Sequence, residues 1–192
     1  GPSRSADRLL PLGRQLNTRP CRRIGTAAVR RRVTEPSPQD DPPALRVVTS
    51  PLGQLGPLDV HALYKLRVDV FVAEQDCPFA EIDDTDANPE TTHVLAWAPG
   101  RDSSELTATL RVYGGDGVMH IGRVCTAPQW RGRGIAARLI RTGLELCGDQ
   151  PVEIGAQSHL EQWYRQFGFS RSGPEYLDGT IPHVPMRRDL LG

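Results

Sequence analysis

Two glycines framed by arginines, Arg131-Gly132-Arg133-Gly134-Ile135-Ala136, form the part of the chain best suited to holding an anion. A strand-like run from Val118 to Thr126 leads into Pro128, and the glycines then open directly into a run of helical period. Glycine lets the backbone turn and approach a ligand closely. Successive N–H groups and the positive end of a helix dipole would then point at a phosphate, with Arg131 and Arg133 adding charge. The residues alone leave three other readings open: an ordinary strand–helix turn, an RGG-like RNA-binding segment, or a plain basic surface.

The second group with chemical potential is Tyr164-Arg165-Gln166-Phe167-Gly168-Phe169, preceded by Gln157. Taken alone it is also a core aromatic helix ended by a glycine. Titratable residues elsewhere, namely Glu74, Glu81, His93, His120, His159 and His183, are candidates for proton transfer or acceptor binding. Cys125 lies on a strand, where a core-facing thiol is commoner than a nucleophile. The four cysteines, Cys21, Cys77, Cys125 and Cys147, lack the spacing of a zinc site or a disulfide framework. No metal is expected, and free thiols point to the cytoplasm.

These residues need elements to hold them. Residues 1–43 read as a basic, proline-containing tail. Nine arginines oppose only Asp7 before residue 33, TEPSPQDDPP follows as a linker, and 26–33 could pair as an edge strand. Gly1-Pro2-Ser3 looks like a protease-cleavage scar. Residues 44–192 read as the domain. The period predicts a strand at Leu45–Val48, a helix over Leu58–Val72, and strands at His93–Ala98, Leu106–Tyr113 and Val118–Thr126. Gly114-Gly115-Asp116-Gly117 marks a hairpin between the last two. A helix over Arg133–Cys147 comes next. It would bury Ile135, Ala136, Leu139, Ile140, Gly143, Leu144, Leu146 and Cys147 on one side. A strand at Val152–Ala156, a short helix over Leu160–Phe167 and two strands near Phe169 and Val184 complete an α/β order. No apolar run is long enough to cross a bilayer.

Arg-x-x-Gly-x-Ala is neither the Walker nor the dinucleotide glycine pattern. It resembles the Gln/Arg-x-x-Gly-x-Gly/Ala pyrophosphate loop of the GNAT superfamily of N-acetyltransferases. Tyr164 to Phe169 resembles that family's Tyr-x-x-x-Gly-Phe signature, in the family's order, and Gln157 stands where many relatives have asparagine. Phe71-Val72-Ala73-Glu74-Gln75-Asp76-Cys77-Pro78, Ile121-Gly122-Arg123-Val124, Gly155-Ala156-Gln157-Ser158-His159-Leu160 and Gly179-Thr180-Ile181-Pro182-His183 resemble its ElaA-like subgroup. The resemblance covers nearly all of residues 45–189, and the tail lies outside it.

The resemblance implies an α/β (α+β) GNAT fold: a mixed, mostly antiparallel sheet of six to seven strands flanked by about four helices. It implies acetyl-CoA as cosubstrate, direct transfer to a primary amine, and a homodimer. Pyrophosphate would sit on the N–H groups from Arg131 to Ala136, and Gln157 would help line the coenzyme site. Backbone N–H groups of Val124, Cys125 and Thr126 would receive the oxyanion, and Tyr164 would stand beside the sulfur as acid or orienting donor. His120 or Glu74 would take the amine proton. Glu81, His93, Arg123 and His183 would line the acceptor site, and the acidic run Glu81–Glu90 would favour a cationic acceptor. Two other readings stand beside this one: a catalytically silent acyl-CoA-binding module, and a nucleic-acid-associated protein acting through the arginine tail. Nucleic acid is not the expected partner, because an acidic domain follows the tail and opposes it.

Overall fold

The computed structural model describes residues 44–77, 79–99, 104–115 and 117–189. The basic tail over 1–43, with its edge-strand segment, lies outside these residues, as does Asp116 of the hairpin turn.

Among the described residues eight strands make one sheet in the order β1-β2-β3-β4-β5-β8-β6, with β7 paired to β8. They are β1 (Arg46–Ser50), β2 (Thr92–Pro99), β3 (Ser104–Gly115), β4 (Val118–Thr126), β5 (Val152–Gln157), β6 (Ser170–Arg171), β7 (Tyr176–Asp178) and β8 (Ile181–Arg188). Only β4 and β5 run parallel. The sheet thus exceeds the six to seven strands expected. β6 is the strand expected near Phe169, and the additional one, β7, is three residues long, too short for alternation to reveal it.

Helices cover the two faces of the sheet and produce two apolar clusters. On one face α3 (Ile135–Cys147) packs Ile135, Leu139 and Ile140 onto Val94, Leu110, Val112 and Ile121, and α4 (Glu161–Arg165) adds Tyr164. On the other, α1 (Pro57–Arg67) sets Leu63 and Leu66 against Leu95, Trp97 and Cys125. Because β2 and β3 are covered on both faces, their central residues are buried without alternation. A four-residue helix, α2 (Asp84–Ala87), is closed by a capping box between Asp83 and Asp86.

Two helices depart from their expected form. The helix expected over 58–72 is α1 followed without interruption by a π-helical segment, Val68–Glu74. Wide turns of this kind occur most often at functional sites. α3 begins at Ile135 rather than Arg133, because Gly134 has φ 73° and cannot join a right-handed helix. Its buried face is the expected one except for Leu146, which is 43% exposed.

Gly143 lets α3 press against the sheet. A Cβ there would stand 3.2 Å from Ile121 Cδ1 and 3.5 Å from both Leu110 Cδ1 and Val112 Cγ2. Overpacking a core contact of this kind costs about 1–3 kcal/mol. Gly143→Leu is therefore expected to lower the unfolding free energy from urea titration by that amount, and an unchanged value would show that α3 can lift away freely.

Candidate active site

The site begins with a pairing that stops. β4 and β5 pair only through Met119 with Val152 and His120 with Glu153. From Ile121 onward β4 has no ladder partner on that side, so its backbone polar groups must find other partners. On its other side the register with β3 slips. Thr109 faces Cys125 and Arg111 faces Gly122, leaving Arg123 and Val124 opposite Leu110 alone. Two residues against one is a β-bulge. Arg123, in the extra place, has φ 53°. The space between the diverging strands is a cleft of about 1180 Å³ lined by Ile121 to Thr126 on β4 and by Ile154, Gly155 and Gln157 on β5. A volume at or above the upper end for small-molecule sites suits an extended ligand with a second molecule beside it.

At the open end of the cleft lies the glycine turn. Gly132 and Gly134 have φ 75° and 73°, and a Cβ at either would meet nothing within 4 Å. The turn therefore has both the left-handed backbone that glycine permits and open space above it. Together with the first N–H groups of α3, it fits a pyrophosphate. Arg131, Gly132, Gly134, Ile135 and Ala136 line the cleft, while Arg133 does not and instead lies 4.9 Å over the Trp130 ring.

The π-helical segment straps this mouth. Arg131 donates from Nη1 and Nη2 to Glu74 Oε1 and Oε2, both at 2.7 Å, and from Nε to Thr126 O at 3.1 Å. Next to Glu74, Gln75 Oε1 accepts from Gln157 Nε2 at 3.2 Å. Neighbouring residues thus reach the loop after β4 and the last residue of β5. Hydrogen bonding from Arg131 holds the Glu74 carboxyl below the usual range. Glu74 is therefore a partner of the anion loop and poorly suited to act as a base.

Of the acidic run expected to favour a cationic acceptor, Glu81, Asp83 and Asp86 fold inward onto three arginines, while Asp84 and Glu90 stay exposed. Arg67, fully buried, donates to Glu81 Oε1 at 2.6 Å and to Asp86 Oδ1 and Oδ2 at 2.7 and 3.0 Å. Arg111 donates to Asp83 Oδ1 and Oδ2 at 2.6 and 2.9 Å and to Asp86 Oδ1 at 2.8 Å. Arg123 adds Glu81 Oε2 at 3.0 Å and Asp83 Oδ2 at 3.2 Å. Burial pushes the Glu81 carboxyl up despite Arg67, whereas hydrogen bonding from Arg111 pushes Asp83 down to about 2. Arg67 and Arg111 occupy core-phase positions in an apolar helix and strand, the one signal by which the sequence could have revealed them.

His93 belongs to this network. It is fully buried, its Nε2 lies 3.1 Å from Asp86 O, and burial lowers its pKa. It does not line the cleft, so the acceptor role expected of it gives way to a structural one. Glu81 and Arg123 do line the cleft, but with side chains committed to each other and to the network.

The remaining expected residues meet in the cleft. Tyr164 lines it from α4, and burial raises its phenol well above the ordinary value. His120 lines it from β4, stacked on Tyr113 at 5.0 Å. His183 lines it from β8, its Nδ1 2.9 Å from Ile181 O and its ring stacked on Tyr176 at 5.8 Å. Cys125 is buried and its thiol is pushed up to about 12 by burial, so it remains protonated. Tyr113, Glu153 and Tyr176 also line the cleft and carried no sequence signal. Among the described residues no group of side chains has the makings of a metal site, and no helix is long and apolar enough to cross a membrane.

Splayed parallel strands, a bulge on the β3 side of the first of them and a glycine turn onto a helix define an acyltransferase architecture. The acetyltransferase (GNAT) domain family matches over residues 81–190, and the chain belongs to that family. Within it the chain is similar to ElaA of Escherichia coli, 35% identical over 145 residues that cover 72% of this chain and 92% of that protein. A UPF0039 protein of Mycobacterium tuberculosis is 47% identical over 142 residues, 70% of this chain and 89% of the relative. Among solved structures, an acyl-CoA N-acyltransferase from Pseudomonas aeruginosa superposes with TM-score 0.69 at 35% identity, covering 76% of this chain and 99% of that one.

Two outcomes test the buried network. Arg67→Met leaves Glu81 and Asp86 without their main partner, and such a change costs about 3–5 kcal/mol, measurable by urea unfolding. A smaller loss would mean that Arg111 and Arg123 suffice. Asp83 titrates lower in the folded chain than its ordinary 3.8. Its stabilisation is complete above that value and disappears as pH falls through about 2. The stability gap between wild type and Asp83→Asn is therefore expected to narrow as pH is lowered from about 5 to about 2.

Proposed function

We propose that the chain transfers the acetyl group of acetyl-CoA directly to a primary amine. The observation that carries this reading is the cleft itself, in which open backbone on β4 lies between the glycine turn and Tyr164. Pyrophosphate binds the N–H groups from Arg131 to Ala136. The pantetheine arm takes the place of the missing ladder partner between β4 and β5, where amides can hydrogen-bond it. Backbone N–H groups of Val124, Cys125 and Thr126 receive the carbonyl oxygen as it becomes an oxyanion.

The amine must attack as the free base, because an ammonium of pKa about 10 is protonated at neutral pH. His120, half-buried on β4, takes that proton directly or through a water. The nitrogen forms the amide bond, the C–S bond breaks, and its electron pair leaves on sulfur. A neutral Tyr164 hydroxyl donates a hydrogen bond to the departing thiolate. A thiol is a stronger acid than a phenol, by roughly 8.5 against 10. Burial widens that difference, so Tyr164 stabilises the thiolate without being deprotonated for long. The first proton leaves His120 for bulk water, and the nitrogen, once bonded to the carbonyl, sheds a second proton that reaches the sulfur through solvent. Cys125, kept as a thiol, is not an acyl carrier, which favours the direct route.

Calorimetric titration with acetyl-CoA, with Gly134→Asp alongside, tests the coenzyme site. The turn has room for the side chain and Asp is among the non-glycine residues that tolerate a left-handed backbone, so the variant should fold at a cost of about 1 kcal/mol. Its carboxylate would repel pyrophosphate and lower affinity at least about tenfold. Tyr164→Phe should leave that affinity intact and reduce turnover by roughly 10–100-fold in an amine screen. A folded wild type that does not bind acetyl-CoA overturns the proposal.

A further inference from the structure

We propose that Arg123 is a positioning residue, holding the carbonyl-binding backbone of β4 through an anchor made by Glu81 and Asp83. The inference rests on the acyltransferase reading and adds to it the device that fixes the oxyanion donors.

Arg123 is a non-glycine residue in the left-handed region, at φ 53°, within a strand. That conformation costs a residue with a Cβ about 1–2 kcal/mol, so its surroundings must hold it there. It occupies the extra place of the bulge, directly before Val124 and Cys125. Its guanidinium is taken up by one short segment. Nε lies 3.0 Å from Glu81 Oε2 and donates to Glu81 O at 3.4 Å, Nη2 donates to Asp83 Oδ2 at 3.2 Å, and the group stacks 5.5 Å over the Phe79 ring. The Arg123 side chain is 22% exposed, Glu81 2% and Asp83 32%, so water competes little for the contact with Glu81 and more for that with Asp83.

The anchor is itself fixed from beneath. Arg67 holds Glu81 and Arg111 holds Asp83. A chain of ion pairs therefore runs from α1 and β3 through the segment 81–83 to the guanidinium of Arg123, and along its side chain to the bulge. Because the bulge directs the peptide groups that follow it, the chain decides where the N–H groups of Val124 and Cys125 point. This accounts for a network of three arginines beside the cleft better than acceptor binding does, because the guanidinium of Arg123 is already committed. The carbonyl donors must be aligned in advance to be effective, and misalignment removes their effect while leaving pyrophosphate binding intact.

The test uses the full-length chain with acetyl-CoA carrying a 13C-labelled thioester carbonyl. Binding to wild type is expected to move the carbonyl stretch to lower wavenumber, because hydrogen bonding polarises the bond. In Arg123→Ala more than about half of that shift should be lost, while the calorimetric affinity for free CoA changes less than about threefold. Arg123→Gly loses the anchor but adopts φ near 50° without strain, so it should keep an intermediate shift and serves as the second variant if the alanine protein does not fold. A folded variant of either kind with the full wild-type shift overturns the inference, as does a loss of CoA affinity as large as the loss of shift. A wild type that binds acetyl-CoA without any carbonyl shift overturns the donor assignment and this inference with it. A wild type that does not bind at all overturns the acyltransferase reading instead.

Discussion

Backbone N–H and C=O groups left out of a ladder must find other partners, and β4 leaves a run of them unpaired on its β5 side beyond His120. Two parallel strands that begin paired at Met119 and His120 and then separate make a slot whose wall is peptide backbone. Much of the structure follows from that slot. The bulge on the β3 side lets β4 turn away, the glycine turn forms where β4 ends, and α4 brings a phenol to the slot's edge. An elongated amide-bearing ligand can complete such a slot by supplying the missing hydrogen bonds. That requirement links the fold to acyl-CoA chemistry more directly than any single side chain does.

Keeping the slot open has an energetic cost, and the buried ion pairs are where the structure meets it. Three arginines and three carboxylates out of water are not a strong source of stability by themselves, since desolvation offsets most of their attraction. Their value is geometric. A guanidinium with several fixed donors defines direction as well as distance, and here that direction is transmitted to the segment 81–86 and the bulge together. The network pairs the charges of Glu81, Asp83 and Asp86, so these three residues of the acidic run are engaged within the fold.

The exposed ion pair between Glu74 and Arg131 is of a different kind. It is solvent-accessible, and pairs of that type contribute little to stability. It nevertheless joins the π-helical segment to the anion-binding turn, just as Gln75 joins that segment to β5. The segment thus touches both arms of the cleft through adjacent residues, and no periodicity in the chain announces this.

By itself the sequence determined the elements and the two loops that matter most. Glycine and proline punctuation, the helical period of 135–147 and the paired motifs around Gly134 and Tyr164 are local patterns, set by backbone sterics and by which side chains avoid water. The family could be read from them, and so could the place of the glycine turn. What the tertiary structure decided was the fate of charge. Whether Glu81, His93 and Arg123 face a substrate or a buried network depends on which segments meet across 7 to 42 positions of sequence. The energy of a charged group is set by those neighbours and by its access to water, neither of which is written in its own vicinity. The end of the β4–β5 pairing and the left-handed Arg123 are likewise products of strands meeting in three dimensions, because register belongs to pairs of strands and not to either one alone.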